Sequence, residues 1–97
     1  MKRLRIRSEA QEEINDAFDW YFRRDRDAAD AFLTEIGNSL AQIAYHPQLY
    51  PPYTKNTRRR ALAGFPYSVV FHEKDDILLV VAVAHAQRRP GYWRKRI

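Results

Sequence analysis

The residues best suited to chemistry lie near the C-terminal end of the chain, where His85 is followed by Ala-Gln-Arg-Arg-Pro-Gly-Tyr-Trp-Arg-Lys-Arg. Arginine guanidinium groups suit phosphate oxygens, and aromatic faces stack on bases or on arginine. We predict that this tail, with one arginine from an earlier basic cluster, contacts a macromolecular target. The predicted target-binding residues are Arg60, His85, Arg88, Arg89, Tyr92, Trp93 and Arg94.

Some of these side chains have other roles open to them. His85 can transfer a proton or bind phosphate. It can also be structural, because strict alternation predicts it on the same strand face as Leu79, Val81 and Val83. Tyr92 and Trp93 can simply dock the tail on the sheet. If the protein is a nuclease, the candidate catalytic residues are Arg60, His85, Arg88 and Tyr92.

Other enzyme classes are poorly supported. The chain has no cysteine, which excludes disulfides, iron–sulfur clusters and thiol catalysis. His46, His72 and His85 show no metal-binding spacing, so we expect neither a metal nor a cofactor. Nucleophile-elbow, P-loop and dinucleotide-binding motifs are absent. The carboxylates of the first predicted helix, away from the basic regions, are interpreted as a solvated face: Glu12, Glu13, Asp16 and Asp19.

Hydrophobic periodicity predicts the elements that must position the tail. Residues 3–7 alternate as a strand, and apolar stripes at helical spacing predict helices over 9–23 and 28–45. Residues 58–63 and 67–73 favour strands, and Ile77–His85, apolar at both parities, is predicted as the central strand. We therefore expect an α+β fold of order βααβββ, with a helical hairpin packed on a small, mainly antiparallel twisted sheet.

Length and charge narrow the class of protein further. We expect one domain, 1–97, since the chain has only 97 residues. No apolar run reaches the ~18 residues of a membrane span and no signal peptide is evident, so we expect a cytoplasmic protein. Segment 8–46 holds nine acidic and three basic residues, a sum of −6, whereas the remainder sums to +11. This separation favours a face that meets a polyanion or an acidic partner.

The whole chain resembles the toxins of the RelE/ParE superfamily, often called plasmid stabilisation proteins. The resemblance depends on the order and spacing of several short motifs, from the first helix to the tail. They are Ala10-Gln-Glu-Glu-Ile14, Ala17-Phe-Asp-Trp20-Tyr21, Ala31-Phe32 with Glu35-Ile36, Ile43 with Pro47 and Tyr50-Pro51, Arg60 with Phe65-Pro66-Tyr67, and His85 with Arg88-Arg89-Pro90, Tyr92-Trp93 and Arg96.

The resemblance implies one of two inhibitory activities. RelE-like members cut mRNA in the ribosome and commonly carry an arginine early on the third strand, where this chain has Ser68. ParE-like members inhibit DNA gyrase and need no hydrolytic site. The Phe-Pro-Tyr segment and the His…Arg-Arg-Pro tail are closer to ParE, so gyrase inhibition is preferred and ribosome-dependent mRNA cleavage is the alternative. A non-toxic basic module that binds nucleic acid is a third hypothesis.

The resemblance also implies partners. A toxin of this superfamily is neutralised by a cognate antitoxin, whose acidic, partly disordered C-terminal segment we expect to fold onto this protein. The other expected partner is DNA gyrase, or the ribosome with its mRNA. Operator DNA is expected to be bound only through the antitoxin, and no membrane is expected to take part.

Overall fold

Two helices and four strands follow one another in the order β-α-α-β-β-β in the computed structural model, which describes residues 1–97. The order and the α+β class confirm the prediction, and the helix ends differ from it by one or two residues. Short 3-10 turns occur at Pro47–Leu49, Thr54–Asn56 and Arg94–Arg96. The elements are β1 Arg3–Ile6, α1 Ser8–Phe22, α2 Arg26–Tyr45, β2 Thr57–Ala61, β3 Tyr67–Lys74 and β4 Ile77–His85.

The helical hairpin turns at Asp25. Its side chain accepts hydrogen bonds from the N–H groups of Asp27 and Ala28, which satisfies donors that the first turn of α2 leaves free. The predicted stripes are buried against the sheet, with Ile14 and Ala17 on α1 and Phe32, Ile36 and Ile43 on α2 among the core residues. Neither helix is long and apolar enough to cross a membrane.

The sheet has the strand order β1-β4-β3-β2. Only β1 is parallel to its neighbour, and the other two pairings are antiparallel, so the sheet is mainly antiparallel as predicted. Strand β4 lies between β1 and β3, which confirms Ile77–His85 as a central strand. Its apolar character at both parities follows from this position, because one face contacts the helices and the other contacts the tail.

A β-bulge in β4 changes which side chains face the helices. Val70 pairs with Ala82 but Phe71 pairs with Val80, so Val81 is an extra residue opposite β3. The alternation therefore shifts after Val81. Val83 lies in the helix-side core while Val81 lies in a second cluster on the opposite face, which we call the open face.

The bulge makes the predicted placement of His85 wrong in part. The His85 ring packs edge-on against Tyr67 at 5.0 Å, and Tyr67 in turn contacts Phe32 of α2. His85 therefore shares the helix-facing side with Val83, and not with Leu79 and Val81. Strict alternation could not predict this, since one extra residue in a strand reverses the face of every residue after it.

Candidate target-binding site

The tail after β4 folds back over the sheet through a tight turn at Gly91. The φ angle of Gly91 is +81°, which favours glycine, and a Cβ there would lie 2.7 Å from Nε of the exposed Arg94 side chain, which would have to move. Hydrogen bonds from Arg88 N to His85 O and from Tyr92 N to Arg89 O close the two successive turns. The tail is thus a defined structural element.

Trp93 anchors the tail on the open face. Its side chain is 1% exposed and packs with Val70, Val81 and Ala82. The ring stacks on Tyr53 with centroids 5.4 Å apart. Trp93 was predicted as a target-binding residue, but in this structure its indole is covered by the protein itself. Its position agrees with the alternative role, in which Trp93 docks the tail on the sheet.

A carboxylate on α1 fixes the tail from the other side. Glu13 accepts hydrogen bonds from the Tyr92 hydroxyl at 2.6 Å, from Arg96 Nη1 at 3.0 Å and from Val83 N at 3.0 Å. Arg96 also donates to the carbonyl of Val81 at 3.0 Å. Because β1 ends at Ile6, this part of the β4 edge has no strand beside it, and side chains satisfy its backbone groups instead.

The interpretation of Glu13 as part of a solvated acidic face was therefore wrong. Its side chain is only 15% exposed. Glu13 lies one helical turn before the buried Ala17, so it flanks the apolar stripe, and that position was the signal available in the sequence. Its partners are distant in the chain, with Tyr92 separated from it by 79 positions, so only folding brings them together.

A groove between α1 and the tail brings three predicted residues together. It has a volume of about 420 Å³, and His85, Arg88 and Tyr92 line it. The α1 side contributes Trp20 and Asp16 among others, and Trp20 is 52% exposed. We call it the α1–tail groove. Exposed aromatic and charged groups around a concave surface suit protein recognition.

Two of the groups in the groove that could move a proton take part in hydrogen bonds inside the protein. Burial first, then the hydrogen bond to Glu13 and the charge of that carboxylate, raise the pKa of Tyr92 well above its usual value. The phenol therefore stays protonated at neutral pH and donates to Glu13. His85 Nδ1 accepts a hydrogen bond from Gln87 N at 3.0 Å, which leaves Nε2 to carry the proton of the neutral ring. The Tyr92 hydroxyl is thus held by Glu13, whereas His85 Nε2 has no hydrogen-bond partner in the protein.

Arg60 does not join the tail. It is paired with Val69 on the helix-facing side of β2, and its Nη1 lies 3.2 Å from Glu35 Oε2 of α2, with Ser39 and Gln42 as further partners. The expectation that Arg60 lies near the tail is wrong because this face of β2 packs on α2. Burial alone would raise the pKa of Glu35, but hydrogen bonds from Ala63 N, Arg60 and Ser39 outweigh it and lower that pKa.

The remaining predicted residues are on the surface. Arg88, Arg89 and Arg94 are exposed, and the Arg88 guanidinium lies 3.9 Å from the centre of the Tyr92 ring, as a cation–π contact. No three His, Cys, Asp or Glu side chains are close enough to hold a metal ion. The structure thus assembles an exposed arginine cluster beside the α1–tail groove, while Trp93 and Arg60 support the fold.

Comparison with known proteins identifies the family. The family model described as "ParE toxin of type II toxin-antitoxin system, parDE" matches residues 4–90. Toxin ParE2 of Mycobacterium tuberculosis, from strains CDC 1551 / Oshkosh and ATCC 25618 / H37Rv, is 24% identical over 91 residues, covering 93% of this chain and 87% of the relative.

A solved structure shares the fold. A chain of the "Chromosomal ParDE TA system from P. aeruginosa" superposes with a TM-score of 0.77 at 15% identity, covering 88% of this chain and 96% of that one. The tail after residue 90 lies outside the family match. Because the family model spans most of the chain and the same fold occurs in a ParDE system, this protein belongs to the ParE toxin family of type II toxin–antitoxin systems.

Proposed function

We propose that this protein inhibits bacterial growth by binding DNA gyrase in the cytoplasm, and that a cognate antitoxin neutralises it. The toxin and antitoxin together are proposed to act in plasmid stabilisation. One observation carries the choice of a binding function over a hydrolytic one. The Tyr92 hydroxyl, which a nuclease would need for proton transfer, instead donates to Glu13 and helps to hold the tail in place. A toxin that acts by binding needs no free acid or base at this site.

The gyrase contact is proposed to be made by the exposed arginines of the tail, Arg88, Arg89 and Arg94, with Trp20 across the groove. Arginine and tryptophan are the residue types that contribute most to protein interfaces, because they combine a large contact area with hydrogen bonds or stacking. Glu13 and Trp93 take part indirectly, since they hold the tail in place.

Ribosome-dependent mRNA cleavage is the competing proposal, and it has one feature in its favour. His85, Arg88 and Tyr92 line the same groove. Against it, Arg60 is held by Glu35 on the helix-facing side, and Ser68 stands where RelE-like members commonly have an arginine. The site therefore lacks two of the cations that such a reaction would use to stabilise a phosphorane.

The antitoxin partnership is supported by charge. The chain carries a net charge of +5, and the exposed tail contributes an uncompensated cluster of cations. An acidic, partly disordered segment could order on this surface while it neutralises the arginines. Operator DNA is proposed to bind the antitoxin, so that the toxin contacts it only through that partner.

The experiment compares His85→Gln with Arg88→Ala after inducible expression, with circular dichroism to establish that both variants fold. A gyrase inhibitor should cause DNA breaks and an SOS response. His85→Gln should then remain toxic, while Arg88→Ala should lose about 1–3 kcal/mol of gyrase binding. Cleaved mRNA, with a rate loss of about 10²–10⁴ in His85→Gln, would establish the nuclease instead. Nucleic-acid binding without growth inhibition would contradict both.

Relief of toxicity on co-expression tests the proposal that a cognate antitoxin neutralises this protein. Co-expression of the neighbouring small open reading frame should restore growth and give a complex that survives purification. If its product co-purifies no better than an unrelated acidic protein, the proposed partnership fails, whatever the target of the toxin.

A further inference from the structure

A second, smaller pocket lies on the open face of the sheet, between β2, β3 and the tail. Its volume is about 150 Å³, and Arg59, Ser68, Arg88 and Trp93 are among the residues that line it. We call it the open-face pocket. It shares His85, Arg88 and Tyr92 with the α1–tail groove, but Arg59, Ser68 and Trp93 line only this pocket.

The charges around this pocket are unbalanced. No acidic residue lines it, while two guanidinium groups do, those of Arg59 and Arg88. The ion pairs of the chain use Lys2, Arg7, Arg60 and Arg96, so neither arginine of the pocket has a carboxylate partner. Two positive charges beside a concave surface without counter-charge favour the binding of an anion.

Both guanidinium groups are held in defined orientations. Arg59 lies over the Tyr53 ring at 4.5 Å and Arg88 lies over the Tyr92 ring at 3.9 Å. A guanidinium stacked on an aromatic ring keeps its N–H donors at the edge of its plane, free for an acceptor. Stacking thus fixes two hydrogen-bonding forks in advance, which lowers the entropy cost of binding a planar oxyanion.

A third donor beside the pocket has no acceptor. The indole Nε1–H of Trp93 is buried and makes no hydrogen bond within the protein. A buried donor without an acceptor lowers the stability of a folded protein by about 1–3 kcal/mol. Trp93 also lines the pocket, so its indole N–H can report on a group that binds there.

Size and shape restrict the anion. The pocket has a volume of about 150 Å³, which is enough for the carboxylate and methylene stem of one acidic side chain. Val70, Ala84 and Pro90 supply apolar walls for a methylene stem. A carboxylate enters on a single stem, whereas a phosphodiester carries chain on both sides and needs an open channel.

We propose that the open-face pocket binds the carboxylate of a glutamate or aspartate side chain on the acidic segment of the antitoxin. The inference depends on the antitoxin partnership proposed above and specifies its contact: an acidic side chain bridges Arg59 and Arg88 beside Trp93. Binding there would also restrain Arg88, which the proposed gyrase contact uses, so one carboxylate would neutralise the toxin at a residue that both partners need.

The test follows the indole N–H resonance of Trp93 by NMR in the isotope-labelled full chain, with Trp20 as an internal reference. The probe is a capped pentapeptide, Gly-Gly-Glu-Gly-Gly, and its control has glutamine in place of glutamate. The glutamate peptide should shift the Trp93 signal saturably, and the glutamine peptide should not. Arg59→Ala and Arg88→Ala should each weaken binding about tenfold, while Arg5→Ala, an exposed arginine on β1 that does not line the pocket, should not.

Several outcomes would overturn the proposal. The first is that the glutamate peptide does not shift the Trp93 signal, and the second is that Arg5→Ala weakens peptide binding as much as the pocket variants do. The third is a stronger response to an oligouridylate than to the peptide, which would identify a nucleic-acid phosphate site. An equal response to inorganic phosphate and to acetate would mean an adventitious ion only.

Co-expression separates this proposal from the antitoxin partnership. If the antitoxin neutralises the wild type and Arg59→Ala equally well, and the peptide does not bind, the partnership stands and the pocket proposal fails. If the peptide binds but no antitoxin relieves toxicity, the pocket stands as a carboxylate site and the partnership fails.

Discussion

Two consecutive arginines on β2 show how differently the two faces of the sheet use charge. Arg60 points toward α2, is only 15% exposed, and pairs with Glu35. Arg59 lies on the open face over Tyr53 and has no carboxylate partner. The helix-facing side and the edge of β4 thus use their charges to hold elements together, whereas the open face leaves cations free. We expect truncation of a paired charge to lower the stability of the fold, and truncation of an unpaired cation on the open face to lower binding to a partner.

The largest effect is expected at Glu13. Glu13→Ala would leave the Tyr92 hydroxyl and the Val83 N–H without an acceptor, and the Arg96 guanidinium with the Val81 carbonyl alone. Removing one partner of a largely buried ion pair costs several kcal/mol, and for side chains 15% and 18% exposed we expect about 3 kcal/mol. Urea unfolding measures the loss, and Trp93 fluorescence should report release of the tail.

The neighbouring carboxylate provides the control. Glu12 is exposed, so Glu12→Ala should change the free energy of unfolding by no more than about 0.5 kcal/mol. Equal losses in the two variants would mean that the contacts of Glu13 with the tail do not stabilise the fold.

The arginine pair on β2 tests the comparison directly. Arg60→Ala leaves Glu35 with only the Ser39 hydroxyl and the Ala63 N–H, and should lower the free energy of unfolding by about 2 kcal/mol. Arg59→Ala should change it by less than about 0.5 kcal/mol. Thermal and urea denaturation of both variants would check this, and a similar loss in each would contradict the assignment of different roles to the two faces.

Substitutions at two glycines are expected to change stability less than those at Glu13 and Arg60, and in opposite directions. Gly91→Ala should lower the free energy of unfolding by about 1 kcal/mol or more, because φ is +81° and the new Cβ would contact Arg94. Gly37 lies in α2, and a Cβ there meets no atom within 4 Å. Gly37→Ala should therefore raise the free energy of unfolding by about 0.5–1 kcal/mol. Melting temperatures that move in the same direction would contradict this prediction.

The smallest effect is expected from the charge of Glu35 alone. The pKa of Glu35 is lowered below its ordinary value of 4.5 in the folded state, so its ionised form stabilises the fold. That contribution is present at pH values above 4.5 and is lost as pH falls through the lowered folded-state pKa. The difference in unfolding free energy between the wild type and Glu35→Gln should therefore be constant near neutrality and shrink in acid. A difference that stays constant to pH 3 would contradict this.

The order and type of the elements could be predicted because the signals are local. The stripe that contains Ile14 and Ala17, and the run Ile77–His85, each show their periodicity within one element. Only part of the predicted site could be derived in the same way. Arg88 and Tyr92 are close in the chain and lie in two successive turns, so they came together, whereas the contacts of Arg60 and Glu13 depend on which neighbour lies opposite them.

The sequence by itself determined the α+β class, the order βααβββ, the central strand and the concentration of cations in the tail, because local periodicity and composition encode all four. Only the tertiary structure decided which cations are free. The extra residue in β4 sets the face on which His85 lies, and contacts across 83 positions of the chain join Arg96 to Glu13. Pairing of charges depends on register and packing between distant segments, and no local pattern carries that information.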